Sequence, residues 1–230
     1  MSRRRTKRVR GQRPELSGYK PRKLNPRTEN QGDYKHAIQD NDIVLCYGPA
    51  GTGKTHIAAG VAVQYMRTAQ IQKIIICRPV VGVGKDIGYL PGSMEDKVGP
   101  YLVPLFDELS YYCENSLLKR WADEGSLEIV PLSMMRGRTF NDAFIILDEA
   151  QNASMMELRM LLTRLGKGST MVVSGDTNQS DLPKGQAGAF SKVIDRLEGL
   201  RDVEVVELTT SDIVRHPLIG QIEARLGELS

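Results

Sequence analysis

Residues 43–55 constrain the fold of this chain more than any other stretch. The apolar run Ile43–Tyr47 is typical of a buried strand, and it leads directly into a glycine-rich segment that fits the pattern G-x-x-x-x-G-K-[ST]. An alanine-rich stretch of helical character follows. Strand, glycine loop and helix in this order predict a phosphate-binding loop, because glycines let successive backbone N–H groups point at one anion and the helix adds its positive N-terminus. The loop residues are Gly48, Pro49, Ala50, Gly51, Thr52, Gly53, Lys54 and Thr55.

Two side chains of this loop have predicted chemical roles. Lys54 would reach the β- and γ-phosphates of a nucleoside triphosphate, and the Thr55 hydroxyl would bind Mg²⁺. The alternative is a glycine-rich turn that matches the pattern by chance, and the flanking strand and helix argue against it. The sequence therefore predicts a protein that binds a nucleoside triphosphate together with magnesium.

A second motif places two carboxylates at the end of another apolar strand. Residues 143–147 are followed directly by Asp148 and Glu149, and a parallel strand would deliver them to the same sheet edge as the phosphate loop. Asp148 would hold Mg²⁺ through water, and Glu149 would orient and deprotonate the attacking water. An ordinary acidic strand end is the alternative. Together the motifs predict triphosphate hydrolysis or transfer, and Glu149 beside Asp148 favours a water nucleophile over a kinase reaction.

Apolar runs alternate with helical segments along the chain, which predicts an α/β fold with a mostly parallel central sheet and helices on both faces. At 230 residues the chain has room for one such core domain. The predicted strands are residues 43–47, 73–77, 127–130, 143–147, 170–174 and 203–208. The predicted helices are residues 34–40, a helix from residue 54, residues 94–113 with a break near 99–100, residues 115–124, a helix capped at 152 or 154 that runs to 165, residues 186–197, and residues 211–226.

The charge of the chain is distributed unevenly. Residues 1–27 contain eleven basic residues and one acidic residue, whereas the whole chain has 31 and 28, so the remainder has 20 basic and 27 acidic residues. We expect residues 1–27 to form a flexible basic arm and residues 28–230 to form the core domain. Clustered Lys and Arg favour a contact with nucleic-acid phosphates. The open alternative is a solvated tail that aids solubility or contacts an acidic neighbour.

The location of the protein is predicted from its apolar runs and its cysteines. No apolar run approaches the roughly 18 residues that a membrane span requires, and the N-terminus lacks the apolar core of a secretory signal. Cys46, Cys77 and Cys113 are widely spaced, which argues against a disulfide framework and a zinc site. The sequence therefore predicts a cytoplasmic protein without a membrane partner.

Three further residues are candidates for the site. The Gln31 amide can pair with the edge of adenine, and the alternative is a surface glutamine before a short helix. Gln179 follows the fifth predicted strand and would hydrogen-bond the γ-phosphate. Arg215 is a candidate arginine finger, with a salt bridge to Asp212 or to another nearby carboxylate as the open alternative. Residues 178–181 resemble the guanine-specific N-K-x-D string, but the lysine is missing and guanine specificity is not expected.

Together these motifs resemble those of the PhoH-like (phosphate-starvation-inducible) family of RecA-like P-loop ATPases, a family similar to the first motor domain of superfamily 1 helicases. The resemblance covers about residues 28–226. The residues that carry it are 48–55, 78–79, 88–92, Lys97, 100–101, 135–139, 148–152, 162–164, 175–176, Gln179, 181–183 and 214–217.

The resemblance implies ATP as the nucleotide, adenine contact by Gln31 and γ-phosphate sensing by Gln179. It also implies a homo-oligomeric ring, expected to be a hexamer, in which Arg215 or another arginine approaches a neighbour's site. One departure is Lys85, which stands where the family usually has an acidic residue and leaves the role of its loop open. Because the extra RNA-cleaving domain of some longer relatives is missing, no ribonuclease activity is expected.

The sequence leaves two functions from different classes open. The first is a Mg²⁺-dependent ATPase coupled to RNA or single-stranded DNA, acting as a remodeller or helicase-like motor. This chain supplies one motor domain, and a ring would place each ATP site at a subunit boundary. The alternative is an ATP-dependent assembly or regulatory protein that does not translocate on nucleic acid. Stimulation of hydrolysis by nucleic acid separates the two.

Overall fold

The computed structural model describes residues 22–79, 94–179, 181–182, 188–214 and 225, and for residues 94–102 it describes the backbone only. Several predictions concern residues outside these ranges. They are Arg215, Lys85, residues 1–21 of the predicted arm, and most of the predicted last helix.

The six predicted strands form one sheet in which every pair of neighbours is parallel. In chain order the strands are β1 (Ile43–Tyr47), β2 (Lys73–Arg78), β3 (Leu127–Pro131), β4 (Ala143–Leu147), β5 (Thr170–Gly175) and β6 (Val203–Glu207). Their spatial order is β3-β2-β4-β5-β1-β6. β2, β3 and β5 extend one residue beyond the prediction and β6 stops one residue earlier, as strand ends commonly do. The predicted α/β class is confirmed.

Six α-helices connect and cover the strands in the described residues. They are α1 (Glu29–Asp40), α2 (Lys54–Arg67), α3 (Met94–Tyr112), α4 (Asn115–Asp123), α5 (Met155–Leu162) and α6 (Ala189–Leu197). The segment Thr210–Asp212 forms a short 3-10 turn.

Three helix predictions need correction. α1 begins five residues earlier than predicted, because the Thr28 hydroxyl caps it by accepting a hydrogen bond from the Gln31 N–H. α3 is continuous across residues 99–100, where a proline break was expected. α5 stops at Leu162 rather than at residue 165, because Leu165 forms a parallel bridge with Phe140 beyond the helix.

Each face of the sheet carries its own apolar core. Alternate residues of a buried strand point to opposite faces, so Ile74 joins the core beneath α1 to α4, whereas Ile75 joins the core beneath α5 and α6. Trp121 is the largest fully buried side chain on the first side, and Phe190 is fully buried on the second. Helices therefore cover both faces, and strands buried on both sides show the continuous apolar runs seen in the sequence.

The register of the parallel strands determines where the functional loops lie. Tyr47 is aligned with Gly175, and Cys77 is aligned with Leu147. The carboxyl ends of β1, β2, β4 and β5 consequently meet at one edge of the sheet, which is where open α/β sheets bind ligands. Among the described helices, none is long and apolar enough to cross a membrane.

Candidate functional site

The loop between β1 and α2 adopts a tight turn that depends on its glycines. Gly51 and Gly53 have φ values of 80° and 86°, and Gly53 directly precedes the first residue of α2. These values lie in the left-handed region, which glycine adopts without steric cost. The Thr52 hydroxyl donates to the Pro49 carbonyl at 2.9 Å and closes the turn from within.

Gly48 lies against the end of β6. A Cβ atom at this position would lie 2.0 Å from the Leu208 carbonyl oxygen, and the Leu208 N–H donates to the Tyr47 carbonyl at 2.8 Å. The backbone approach therefore leaves no room for a side chain, so Gly48 positions the loop against the sheet.

Lys54 turns back over the loop that precedes it. Its Nζ donates to the carbonyl oxygens of Gly48 at 2.6 Å and Pro49 at 2.8 Å. Burial lowers the pKa of Lys54 below its ordinary value, although nearby carboxylates including Asp176 and Asp148 act in the opposite direction. The ammonium group thus lies directly over the predicted phosphate-binding backbone.

Asp148, at the end of β4, joins the two predicted motifs. Its Oδ1 accepts a hydrogen bond from the Thr55 hydroxyl at 2.7 Å. Its Oδ2 accepts one from Arg78 Nη2 at 2.8 Å, and the same nitrogen donates to Glu149 Oε1 at 3.0 Å. Asp148 is only 5% exposed. Arg78, at the end of β2, therefore pairs with both candidate carboxylates.

Gln151 holds Glu149 from the other side. Its Nε2 donates to Glu149 Oε2 at 2.5 Å, while its Oε1 accepts from the Asp176 N–H at 2.9 Å. Glu149 has a φ of 57°, a left-handed conformation that costs energy in a residue with a side chain and is concentrated at functional sites. Both carboxylate oxygens of Glu149 are thus engaged, and its orientation is fixed between β2 and β5.

A cavity of about 450 Å³ lies above these residues. This volume suits a small organic ligand. The cavity brings together nine of the twelve predicted residues that the structure describes: Gln31, Ala50, Gly51, Gly53, Lys54, Thr55, Asp148, Glu149 and Gln179. The loop residues Gly48, Pro49 and Thr52 do not line it. Arg215 lies outside the described residues. Its chain neighbour Val214 lines the cavity and donates its N–H to the Gly51 carbonyl at 3.3 Å.

Gln31 uses its amide to tie α1 to the phosphate loop. Its Nε2 donates to the Thr52 carbonyl at 2.9 Å, and its Oε1 accepts from the Arg27 N–H at 2.9 Å. The side chain is 4% exposed. Gln31 thus has a structural role that the sequence did not indicate, and its contact with adenine stays a prediction.

The opposite wall of the cavity contains residues that sequence reasoning missed. His56 Nδ1 lies 2.8 Å from Glu108 Oε2, and its ring centroid lies 4.8 Å from that of Tyr111. The Arg22 guanidinium lies 4.5 Å from the centre of the Tyr111 ring. The position of His56 directly after Thr55 could have predicted that His56 lies at the site. Nothing in the sequence linked it to Glu108 and Tyr111, since α3 lies about fifty residues further along the chain.

The residues present fit a bound magnesium ion. Mg²⁺ prefers oxygen ligands, keeps several waters and takes one or two protein ligands, and the Thr55 hydroxyl and the Asp148 carboxylate lie side by side at the cavity floor. In the part of the chain that the structure describes, there is no group of three or more His, Cys, Asp or Glu residues that could hold a metal. The Thr55 and Asp148 oxygens could thus supply one or two ligands to a magnesium ion whose other ligands are waters or phosphate oxygens.

Comparison with solved structures agrees with the architecture. The UvsW helicase from bacteriophage T4 superposes with a TM-score of 0.50 at 14% identity, covering 80% of this chain and 61% of that chain. The large terminase from a thermophilic bacteriophage superposes with a TM-score of 0.55 at 11% identity, covering 86% and 50%. At such low identity the likeness is one of fold alone, and that fold is RecA-like.

Comparison with known sequences is more specific. The family model described as PhoH-like protein matches residues 23–226. A PhoH-like protein of Mycobacterium tuberculosis is 46% identical over 199 residues, covering 86% of this chain and 56% of the relative. A PhoH-like protein of Bacillus subtilis is 43% identical over 203 residues, covering 88% of this chain and 64% of the relative. Protein PhoH of Escherichia coli K12 is 38% identical over 194 residues, covering 84% of this chain and 55% of the relative. The chain thus spans 55–64% of the length of these three relatives. Because the family model spans most of the chain, the chain belongs to the PhoH-like protein family.

Proposed function

We propose that this protein is a Mg²⁺-dependent ATPase that converts ATP to ADP and phosphate and couples this reaction to binding or remodelling RNA or single-stranded DNA in a helicase-like manner. One observation carries the proposal. Five predicted side chains from separate parts of the chain line one cavity at the carboxyl edge of the sheet: Lys54, Thr55, Asp148, Glu149 and Gln179.

The side chains divide the reaction between them. Lys54 would leave the loop carbonyls for the β- and γ-phosphates, and Thr55 and Asp148 would hold the metal ion. Mg²⁺, when bound, supplies positive charge to the phosphate oxygens. Glu149 would orient a water molecule and take its proton as the water oxygen attacks the γ-phosphorus and the bond to the β-phosphate breaks. Gln179 would contact the γ-phosphate.

Nucleic acid as the coupled partner is supported by the basic composition of residues 1–27 and by a fold shared with a helicase and a terminase. A homo-oligomeric ring, expected to be a hexamer, would complete each site with an arginine from a neighbouring copy, for which Arg215 is the candidate. The three cysteines are free and buried, which is compatible with the reducing cytoplasm.

The first experiment is steady-state ATP hydrolysis with and without single-stranded RNA and DNA, at low and physiological salt.

Lys54→Ala should abolish nucleotide binding or turnover. Glu149→Gln should keep ATP binding while hydrolysis falls by about 10²–10⁴-fold, because the general base is lost. Glu198→Gln is the matched control, since Glu198 is exposed at the end of α6, and it should hydrolyse ATP as the unaltered protein does.

The outcomes separate the parts of the proposal. Normal hydrolysis by Lys54→Ala would refute the site, and normal hydrolysis by Glu149→Gln would place the base elsewhere. Hydrolysis that requires Glu149 but is indifferent to both polymers would refute the coupling. That result would favour the assembly or regulatory switch that does not translocate.

A further inference from the structure

A second, shallower groove lies where the loop after β3 meets α5. Its volume is about 340 Å³, and it shares no lining residue with the nucleotide cavity. Two sequence motifs that the nucleotide site does not use, residues 135–139 and 162–164, meet here. The main lining residues are Arg136, Gly137, Met156, Arg159, Thr163 and Arg164.

The groove concentrates positive charge that no described carboxylate neutralises. Arg136 and Arg159 are exposed and form no ion pair or side-chain hydrogen bond with the residues that the structure describes. Within the same described part of the chain, Arg164 donates to neutral oxygens. By contrast, the adjacent Arg138 pairs with Glu128 at 2.6 Å. Three guanidinium groups therefore face one groove without a carboxylate among the described lining residues.

Arg164 is held in place before any ligand arrives. Its Nε donates to the Met160 carbonyl at 3.2 Å, its Nη2 to the Thr163 hydroxyl at 3.1 Å, and its Nη1 to the Arg138 carbonyl at 3.4 Å. A fixed planar guanidinium loses little entropy when it binds an anion, and its geometry matches phosphate oxygens. The groove is thus partly preorganised.

The groove also has an apolar component beside its charges. Met156 is 71% exposed and lines the groove, and thioether side chains adapt to irregular apolar surfaces. A ligand with alternating charged and flat apolar parts would contact both features. A polynucleotide strand has this character, because phosphates alternate with bases along it.

The charge of the rest of the molecule makes this groove distinctive. Residues 28–230 carry 20 basic and 27 acidic residues, so a site lined by three arginines opposes the sign of the domain that bears it. We propose that this basic groove binds the phosphate backbone of a single-stranded polynucleotide. The inference rests on the proposed function and assigns the surface through which the core domain, independently of the arm, contacts nucleic acid.

The test is binding of a fluorescently labelled single-stranded 20-mer of RNA or DNA to the full chain, followed by fluorescence anisotropy over a range of salt concentrations. Arg136→Glu combined with Arg159→Glu should weaken binding at least tenfold. It should also reduce the slope of log K against log salt by about 1.4, because single strands give about 0.7 for each phosphate contact. Hydrolysis of ATP without polymer should be unchanged.

The matched control is a charge reversal on the other side of the sheet. Lys119 is exposed on α4, which covers the opposite core, and Lys119→Glu should change binding less than twofold. Equal binding by the groove variant and the unaltered protein would overturn the groove while leaving the proposed function intact. An unaltered protein that binds neither polymer at low salt would overturn both. Weaker binding with a reduced oligomer mass in light scattering would identify a contact between copies instead and would refute the proposal.

Discussion

Arg78 contacts the two candidate catalytic carboxylates through a single nitrogen atom. The Nη2 atom lies 2.8 Å from Asp148 and 3.0 Å from Glu149. Two adjacent carboxylates repel each other, and a shared cation reduces that repulsion. We therefore propose that Arg78 is a positioning residue that holds Glu149 in the orientation that the proposed mechanism requires.

Arg78→Ala should lower kcat for ATP about tenfold with little change in KM, because Glu149 would lose one of its two orienting partners. Arg78→Lys should recover part of the loss, since one ammonium nitrogen can approach both carboxylates. Steady-state kinetics of the two variants would check this. A higher KM at unchanged kcat would show instead that Arg78 binds the nucleotide.

Single residues show which parts of the candidate site a local sequence signal could predict and which parts it could not. The spacing within the phosphate loop is local, so Lys54 and Thr55 could be assigned from consecutive residues. Asp148 and Glu149 follow an apolar strand, which is also a local signal. The roles of Gln151 and Arg78 depend on which strands are neighbours, and the order β3-β2-β4-β5-β1-β6 is not readable from one sequence.

At the level of elements, Asp212 joins the N-terminal helix to the far end of the chain. It accepts from the Thr28 hydroxyl, from Asn30 Nδ2 at 2.9 Å and from the Thr209 N–H at 2.7 Å, and it is 1% exposed. Burial alone would raise the pKa of this carboxyl, but hydrogen bonds from Asn30, Thr28 and Thr209 lower it below its ordinary value. Asp212 therefore stabilises the fold as an anion.

Asp212→Asn should lower the free energy of unfolding at pH 7 by about 2 kcal/mol, because hydrogen bonds to a buried anion are lost. Since the folded pKa lies below the ordinary 3.8, the contribution is complete above about pH 4 and is lost as the pH falls through the folded value. Urea unfolding at pH 7 and pH 3 should thus show the gap between the two proteins narrowing at pH 3.

The control for this comparison is Asp123→Asn at an exposed position near the end of α4, which should alter stability by less than about 0.5 kcal/mol at both pH values. A gap between the unaltered protein and Asp212→Asn that stays constant with pH would contradict an anionic role for Asp212.

The helix predictions failed where local composition hid the capping residues. Residues 29–33 are polar and gave no apolar periodicity, so α1 was expected to begin at Tyr34 although Thr28 caps it earlier. The predicted cap at Ser154 is confirmed, where Glu157 completes a capping box. The central strands β1, β2, β4 and β5 were predicted closely, because strands buried on both faces produce largely apolar runs.

At the scale of the whole molecule, the predicted arm and the core domain differ in charge. Eight basic residues and one acidic residue lie within residues 1–21, ahead of the described part of the chain. The adjoining residues contact the domain: Leu24 packs against the core beneath α1 to α4, and Arg27 lines the nucleotide cavity. An experiment on the arm should therefore remove residues 1–21 and leave residues 22–27 in place.

Removal of residues 1–21 should weaken binding of a single-stranded 20-mer and flatten its dependence on salt, because fewer cations would displace counterions from phosphates. Basal ATP hydrolysis should persist, since residues 22–27 remain. Anisotropy titrations at about 50 and 200 mM salt would measure both properties. A salt slope equal to that of the full chain would indicate that the arm is a solvated tail.

The hydrogen bonds of Asp212 to Thr28 and Asn30 bring an early and a late segment of the sequence together. Arg27 and Val214 come from distant parts of the sequence and line the same cavity, so both segments lie beside the candidate nucleotide site. A probe attached at position 214 would therefore lie next to the proposed nucleotide site. The fluorescence of a probe at position 214 should consequently change when ATP is added, whereas that of a probe at the exposed turn around Gly125, at the opposite edge of the sheet, should not.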